Sequence, residues 1–262
     1  MMLKLNHDNY FSTEADREYF SVSQFKAFKE CEAKTMAKLN GTWIDGENDA
    51  FTLGSYVHLW SEGGNLGEFR MQHPEMFKKD GTLLKKFEVA DKMIKTLAED
   101  PLIEKVREGQ KEVIMTGELF GAPWKIMIDI YNPGNGVFVD LKTTREISKK
   151  YWNEELRVKQ NFIEYYDYLL QMAVYAEIER LNRSSEDYLQ PHIIAVSKEE
   201  IPDKAVILMG TEYIQDKLLE VETLLPHLIN VKSGKEEPIR CEHCDYCRST
   251  KKIDSIIHYL DL

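Results

Sequence analysis

Several features are scarce in this chain, and each scarcity excludes a class of protein. Glycine occupies 14 and proline 8 of the 262 positions, which excludes collagen-like and low-complexity chains. No apolar run approaches the roughly 18 residues that a membrane-spanning helix needs. The first ten residues lack the charged-then-apolar order of a signal peptide, so we expect a cytoplasmic protein with no membrane partner.

Positive charge is also scarce. The chain has 34 lysines and arginines against 45 aspartates and glutamates, and its formal net charge is −11. The molecule as a whole therefore repels polyanions, and binding of a nucleic acid must depend on local basic patches or on a bound metal. Hydrophobic residues make up 43% of the chain. At this length a full core forms without disulfides or metals, so we expect one domain spanning residues 1–262.

The hydrophobic pattern divides that domain into three segments. Helical periodicity dominates residues 1–105, residues 106–231 combine strands with long helices, and residues 232–262 form a cysteine-rich tail. Strands are predicted at Glu112–Phe120, Trp124–Ile130, Val137–Lys142, 192–196 and 205–209. Helices are predicted near 161–181 and 213–231, and another begins near Asn48 and carries His58 in its final turns. This order predicts an α/β fold with a central mixed sheet flanked by helices.

Two aspartates lie about equally far from a predicted turn at residues 132–136. Asp129 precedes this turn and Asp140 follows it, so an antiparallel pair of strands brings the two carboxylates opposite each other or within one residue. Like charges this close need a cation, and oxygen ligands beside a histidine nitrogen suit Mg²⁺ or Mn²⁺. Lys142 lies on the same strand face as Asp140, where an ammonium group can orient a water molecule. The pattern indicates metal-assisted hydrolysis of a phosphodiester.

These residues occur in an order that resembles the PD-(D/E)XK nuclease superfamily, in its RecB-like branch and its exonuclease VIII (RecE-type) branch. The resemblance covers residues 20 to about 250, and the residues that carry it are Gly54, His58, Glu112, Asp129, Asp140-Leu141-Lys142, Gln171 and Tyr175. It implies a restriction-endonuclease-like core. One departure is that Ile128, not proline, precedes Asp129.

The resemblance implies a role for each residue. His58, Asp129, Asp140 and the carbonyl of Leu141 would bind the divalent metal, and Lys142 would assist the attacking water. Glu112 would add an acidic group to the catalytic site, and Gln171 with Tyr175 would approach the DNA strand. The implied activity is exonucleolytic hydrolysis of linear double-stranded DNA from its ends, for phage-type recombination or end resection. The implied partner is a single-strand annealing recombinase, and the implied setting is the cytosol of a bacterium or of a phage-infected host.

Each residue also has a structural interpretation that needs no catalysis. His58 is then a core histidine, Glu112 and Lys125 form a cross-strand surface pair, and Gln171 and Tyr175 only pack their helix. The corresponding alternative for the whole protein is a non-catalytic DNA-binding or scaffold module with a degenerate, zinc-stabilised nuclease fold.

The four cysteines form a separate pattern. Cys241, Cys244 and Cys247 lie within seven residues, and Cys31, predicted on a helix, is the only other cysteine. One N-terminal and three C-terminal cysteines resemble the iron-sulfur staple of AddB-type and CRISPR-associated RecB-like nucleases, which implies a 4Fe-4S cluster. Zinc is the alternative, with His243 or His7 available to replace one thiolate.

A basic and aromatic stretch follows the predicted catalytic strand. Its members are Lys142, Arg145, Lys149, Lys150, Tyr151, Trp152, Arg157 and Lys159. Such residues either line a path for DNA, with the rings stacking on bases, or form a solvated loop.

Overall fold

The computed structural model describes residues 2–46, 49–253, 255–256 and 258–261, and it has an α/β fold. The helices are α1 (Thr13–Glu18), α2 (Val22–Glu30), α3 (Glu32–Leu39), α4 (Asp49–Glu62), α5 (Leu66–Gln72), α6 (Glu88–Ala98), α7 (Pro101–Val106), α8 (Phe162–Tyr165), α9 (Tyr168–Arg183), α10 (Ile214–Lys232) and α11 (Asp245–Ser249). The strands are β1 (Gln110–Leu119), β2 (Ala122–Asn132), β3 (Val137–Thr144), β4 (Tyr151–Asn153), β5 (Val158–Gln160), β6 (Gln190–Ser197) and β7 (Lys204–Leu208). Single 3-10 turns occur at Pro74–Met76, Lys85–Phe87, Pro133–Asn135 and Tyr259–Asp261.

A mixed five-stranded sheet forms the centre of the molecule, with the strand order β1-β2-β3-β6-β7. The β3–β6 pair is parallel, and the other three pairs are antiparallel. A parallel pair needs a crossover connection, and here the crossover contains β4, β5, α8 and α9. The predicted fold class, a mixed sheet flanked by helices, is confirmed.

Helices cover both faces of the sheet because the strands bury apolar side chains on both sides. On one face, α2 and α9 pack against Trp124, Ile126, Ile128 and Phe138, and α10 packs on α9. On the other face, α4 and α6 pack against Ile130, Val139, Leu141, Ile194 and Val196. No helix among the described residues is long and apolar enough to cross a bilayer.

Strands β2 and β3 separate partway along their length. Their pairing runs from Asn132↔Val137 to Ile130↔Val139 and includes no pair beyond it. Past this point the backbone of β2 pairs with Phe20 instead, since Phe20 N donates to Pro123 O at 2.8 Å and Lys125 N donates to Phe20 O at 2.8 Å. The cleft between the diverging strands opens beside Asp129 and Asp140.

The structure corrects two expectations about local structure and leaves a third untested. Cys31 lies between two helices, with φ −165° and ψ 106°, as the C-cap of α2 and the N-cap of α3. The predicted continuous helix at 161–181 is broken at Asp167, whose φ of 50° is incompatible with a right-handed helix, so α8 and α9 are separate. The predicted N-terminal start of α4 at Asn48 lies outside the described residues.

Candidate catalytic site

The separation of β2 from β3 places the buried carboxyl group of Asp140 and the half-buried carboxyl group of Asp129 at one point. The register that pairs Ile130 with Val139 carries Asp129 toward Asp140, as the sequence predicted. Where the two strands separate, the backbone N–H of Leu141 donates to a side chain instead of to β2: Leu141 N donates to Asp129 Oδ2 at 2.8 Å. The Asp129 side chain therefore bridges the two strands where their ladder ends.

Asp140 is the most closely contacted residue of this site, with 3% of its surface exposed. Lys142 Nζ lies 2.6 Å from Asp140 Oδ2, and Gln171 Nε2 donates to Asp140 Oδ1 at 2.6 Å. Lys142 and Asp140 lie two residues apart on β3, so their side chains share a face, and α9 brings Gln171 to that face. The structure thus brings three of the sequence-predicted residues into contact.

His58 reaches the same point from the other side, on the last turns of α4. Its Nδ1 lies 3.5 Å from Asp129 Oδ2. The approach of α4 to β3 is close one turn earlier, where a Cβ added to Gly54 would lie 3.3 Å from Thr143 Oγ1. A glycine at this position therefore lets the helix approach β3 closely.

Glu112 lies close enough to Asp129 and Asp140 for their charges to act on it. Its own φ of 51° makes the backbone of β1 irregular at this position. The pKa of Glu112 is raised to about 9 by burial, by the nearby charge of Asp129 and by a hydrogen bond and charge from Glu62. Sequence reasoning missed Glu62. It lies four residues after His58 on α4, and that helical spacing is the signal that could have identified it.

Negative charge predominates over positive charge in the site. The pKa of Asp129 is raised to about 6 by burial and by the charge of Asp140, while His58 and Lys142 act in the opposite direction. Burial lowers the pKa of Lys142, but the charges of Asp140 and Asp129 outweigh it and hold the pKa above its usual value. Carboxylates that keep their protons because they repel each other are suited to a divalent cation, and oxygens with an imidazole nitrogen are ligands that Mg²⁺ or Mn²⁺ accepts.

The remaining predicted residues lie around this group. Leu141 is buried on β3, between Asp140 and Lys142. Burial and the charges of Tyr10, Asp140 and Asp129 raise the pKa of Tyr175 well above its usual value, and Tyr175 also has a hydrogen bond with the backbone of Met127. The Tyr10 side chain, which sequence reasoning missed, is buried near Glu112 and Asp129.

The alternative pairing of Glu112 with Lys125 on the surface is wrong. Lys125 is opposite Thr116 in the β1–β2 register, and only 2% of it is exposed. Its ammonium group lies 2.7 Å from Asp16 Oδ1 and also donates to the carbonyl of Tyr10. The charge of Lys125 is therefore used to hold the N-terminal segment against β2.

An aromatic surface adjoins the catalytic residues through Lys142, whose Nζ lies 4.9 Å from the ring centroid of Tyr168. We call it the tyrosine surface; it comprises Tyr151, Trp152, Tyr165, Tyr166 and Tyr168. Tyr166 and Tyr168 have centroids 5.9 Å apart, and Tyr151 stacks on Tyr165 at 4.6 Å. Trp152 is 48% exposed, so these rings extend from the site to solvent on the β4–β5 hairpin.

The four cysteine sulfurs form a second candidate metal site. They lie within 4.8 Å of one another and are the only described group in which three or more His, Cys, Asp or Glu ligand atoms converge so closely. The ligand atoms of His58, Asp129 and Asp140 therefore lie farther apart than the four cysteine sulfurs do. The cysteine cluster joins the start of α3 to the C-terminal tail, as the sequence pattern predicted.

Comparisons with known proteins agree with this arrangement. Residues 21–250 match the family model described as "PDDEXK-like domain of unknown function (DUF3799)". A crystal structure of a protein from Eubacterium rectale, provisionally named an exonuclease, is similar over 99% of this chain and 98% of its own, with 39% identity and a TM-score of 0.92. A structure named SSO0001 covers 82% of this chain and 90% of its own at 12% identity, with a TM-score of 0.31. The search of curated proteins found no match.

Proposed function

The chain belongs to the PDDEXK-like family DUF3799, and from this premise we propose that it is a metal-dependent exonuclease that hydrolyses linear double-stranded DNA from its ends. Membership confirms the predicted superfamily. The exonuclease VIII (RecE-type) branch stays a prediction. The name of the Eubacterium rectale protein, an exonuclease, is in accord with this proposal.

One observation carries the proposal, namely that Asp129, Asp140, Lys142 and His58 meet where β2 and β3 diverge. A purely structural role does not explain this arrangement, because two carboxylates in one place destabilise each other. Hydrolysis explains it, because a divalent cation bound there would polarise the phosphoryl group and lower the pKa of a bound water. We propose that His58, Asp129, Asp140 and the Leu141 carbonyl hold this cation.

The other residues then have positioning roles. The Lys142 ammonium is charged at neutral pH, because its pKa is held high, and it can donate to the attacking water or to a phosphate oxygen. Gln171 holds Asp140 in place through its 2.6 Å hydrogen bond. Glu112 lies beside Asp129 and Glu62, and its raised pKa keeps it protonated at neutral pH, so it can donate a proton or a hydrogen bond in the site. Tyr175, on the same helix as Gln171, is proposed to contact the DNA strand near the metal.

The tyrosine surface favours a nucleic acid as substrate. The cations around it are Arg145, Lys149, Lys150, Arg157 and Lys159, and no ion pair within 4 Å joins any of them to a carboxylate of the described residues. Lys149 Nζ lies 5.0 Å from the Tyr151 ring centroid. Basic side chains with exposed rings bind the backbone and the bases of a DNA strand. This local surface would offset the repulsion from the net charge of −11.

The biological setting follows from the proposed substrate. An enzyme that resects duplex ends produces a single-stranded product, and a single-strand annealing recombinase is the class of protein that would take it up. We propose that the chain works with such a partner in the cytosol of a bacterium or of a phage-infected host.

The test uses linear and closed circular duplex DNA of the same sequence, with Mg²⁺ or Mn²⁺ or with chelator alone. We expect degradation of the linear DNA only, and only with the cation. Asp140→Asn and Lys142→Ala are each expected to reduce the rate by at least about a hundredfold, because each removes charge from the reacting centre. Lys95→Ala, at an exposed position of α6 outside the tyrosine surface, is the matched lysine control and should retain most of the activity.

Three outcomes would contradict the proposal. Cleavage of closed circular DNA at the same rate would show an endonuclease. Full activity of both Asp140→Asn and Lys142→Ala would show that these residues do not form the catalytic site. DNA binding without cleavage under any of these conditions would favour the non-catalytic module.

A further inference from the structure

We propose that Cys31, Cys241, Cys244 and Cys247 hold a single tetrahedral zinc ion, and that the 4Fe-4S cluster implied by the sequence resemblance does not fit this site. The inference rests on the spacing of the four sulfurs and is independent of the proposed nuclease activity. It identifies the site as a structural one that joins the two ends of the chain.

The sulfur separations are those of a tetrahedron around one ion. Cys31 Sγ lies 3.6 Å from Cys247 Sγ and 3.8 Å from Cys244 Sγ, and Cys241 Sγ lies 3.9 Å from Cys247 Sγ. Zinc binds thiolates at about 2.3 Å, and a regular tetrahedron of that radius has edges of about 3.8 Å. All four sulfurs, which lie within 4.8 Å of one another, fit this arrangement.

A 4Fe-4S cluster needs much more space between its ligands. Each of its four cysteines binds a different iron of the cube, so the cysteine sulfurs point outward and lie about 6 Å apart. The observed separations of 3.6 to 3.9 Å are shorter by more than 2 Å. Fitting a cluster would require every one of the four side chains to move outward.

The surrounding structure resists such a movement. Cys31 and Cys247 are buried, with 5% and 0% of their surfaces exposed. Backbone donors are directed at three of the sulfurs at 3.4 Å, from Lys34 N to Cys31, from Cys244 N to Cys241, and from Cys247 N to Cys244. Such donors stabilise thiolates in a fixed position.

The geometry also settles the ligand set that the sequence left open. Four sulfurs complete a tetrahedron, so a histidine is not needed. His243 Nδ1 lies 2.7 Å from the carbonyl oxygen of Cys241, and that contact is outside the sulfur cluster. A closed set of four thiolates leaves no position for water or substrate, which makes the site structural.

The test is metal analysis of the full-length protein purified without oxygen from cells supplied with both iron and zinc. We expect about one zinc and a negligible amount of iron per chain, a colourless solution, and X-ray absorption at the zinc edge with four sulfur neighbours at about 2.3 Å. A brown protein with about four irons and sulfides per chain would overturn the proposal.

Variants distinguish this site from adventitious zinc. Cys31→Ser and Cys244→Ser should each reduce bound zinc at least tenfold and lower the melting temperature. His243→Ala should keep the zinc. If Cys31→Ser does not fold, Cys241→Ser, at a half-buried position, tests the same site. Displacement of zinc by Co²⁺ in the unaltered protein should give the absorption bands of a tetrahedral thiolate complex. Octahedral Co²⁺ spectra, or zinc retained in the Cys244→Ser protein, would contradict the assignment.

Discussion

At the scale of single residues, the acidic side chains of the catalytic site hold protons that they would lose in the unfolded chain. An unfolded aspartate or glutamate has a pKa near 4. In the folded protein, burial and mutual repulsion raise the pKa of Asp129 to about 6 and that of Glu112 to about 9. Between about pH 4 and its own raised pKa, each group binds more protons in the folded state than in the unfolded state, so each makes the free energy of unfolding decrease as the pH rises through that range.

This decrease of the free energy of unfolding with rising pH leads to a prediction for Glu112. Between pH 6.5 and 8.5 the folded metal-free protein keeps the Glu112 proton and unfolding releases it, so the melting temperature of the wild type should fall with rising pH relative to that of Glu112→Gln. Burial lowers the pKa of Lys26 to about 8 and that of Lys232 to about 7, and both act in the opposite direction. The difference between wild type and variant removes these contributions, because both proteins contain the two lysines.

Thermal denaturation at several pH values, with chelator and then with Mn²⁺, is the measurement. Mn²⁺ should raise the wild-type melting temperature most at high pH, where the carboxylates are charged and repel each other. The same pH slope in wild type and in Glu112→Gln would show that the folded protein does not keep the Glu112 proton in this range.

At the scale of elements, the β4–β5 hairpin and α8 present the tyrosine surface beside the site. We expect Trp152→Ala and Tyr165→Ala each to weaken binding of a single-stranded oligonucleotide by about 1 to 3 kcal/mol, because each removes a ring on which a base can stack. Tyr165→Phe is the matched control and should bind normally, since stacking does not need the hydroxyl group. Leu208→Ala removes an exposed apolar side chain on β7, at the edge of the sheet, and should have no effect.

Fluorescence anisotropy in the Asp140→Asn background measures this binding without degradation of the DNA. A loss of affinity in Tyr165→Phe equal to that in Tyr165→Ala would assign the effect to the hydroxyl group. Unchanged affinity in both alanine variants would place the DNA path elsewhere.

The elements that sequence could predict are the long, periodic ones. Alternation identified β1, β2 and β3, and the turn between Asp129 and Asp140 predicted their approach, because local pairing fixes the register of an antiparallel pair. Strands β4 and β5 were missed, since three residues are too few to show a period. The break before α9 depends on distant charges, as Asp167 lies 2.9 Å from Lys217 Nζ and 3.3 Å from Lys29 Nζ.

At the scale of the whole molecule, the segment that carries the three C-terminal cysteines meets the start of α3, and not only through the cysteines. Ile239 N donates to Glu32 Oε2 at 2.8 Å, and Ala33 N donates to Ile239 O at 3.0 Å. His227 Nε2 on α10 lies 2.8 Å from Glu32 Oε1. These contacts join Ile239 and the end of α10 to the N-terminal helices, in accord with the proposal of one domain.

The cysteine site and the carboxylate site should then be separable by mutation. Helix α2 ends beside Cys31, but its Phe25 and Phe28 are fully buried in the core, and Phe25 packs against Trp124 with centroids 5.8 Å apart. Loss of the thiolate-bound metal should therefore free the tail without moving α2 or the sheet that carries Asp129. The two sites also select different ions, because thiolates prefer soft metals and carboxylates prefer Mg²⁺ or Mn²⁺.

We accordingly expect Cys244→Ser to melt at a lower temperature, to lose its tail's protection from protease, and to retain Mg²⁺-dependent cleavage of linear DNA at 20 °C within about threefold of wild type. Asp140→Asn should show the reverse, with its thiolate-bound metal and tail protection intact and its cleavage abolished. The measurements are limited proteolysis, metal analysis and nuclease assay on the same preparations. Loss of cleavage in Cys244→Ser at a temperature where its circular dichroism spectrum is unchanged would show that the two sites are coupled, and that the tail acts on the cleft between β2 and β3.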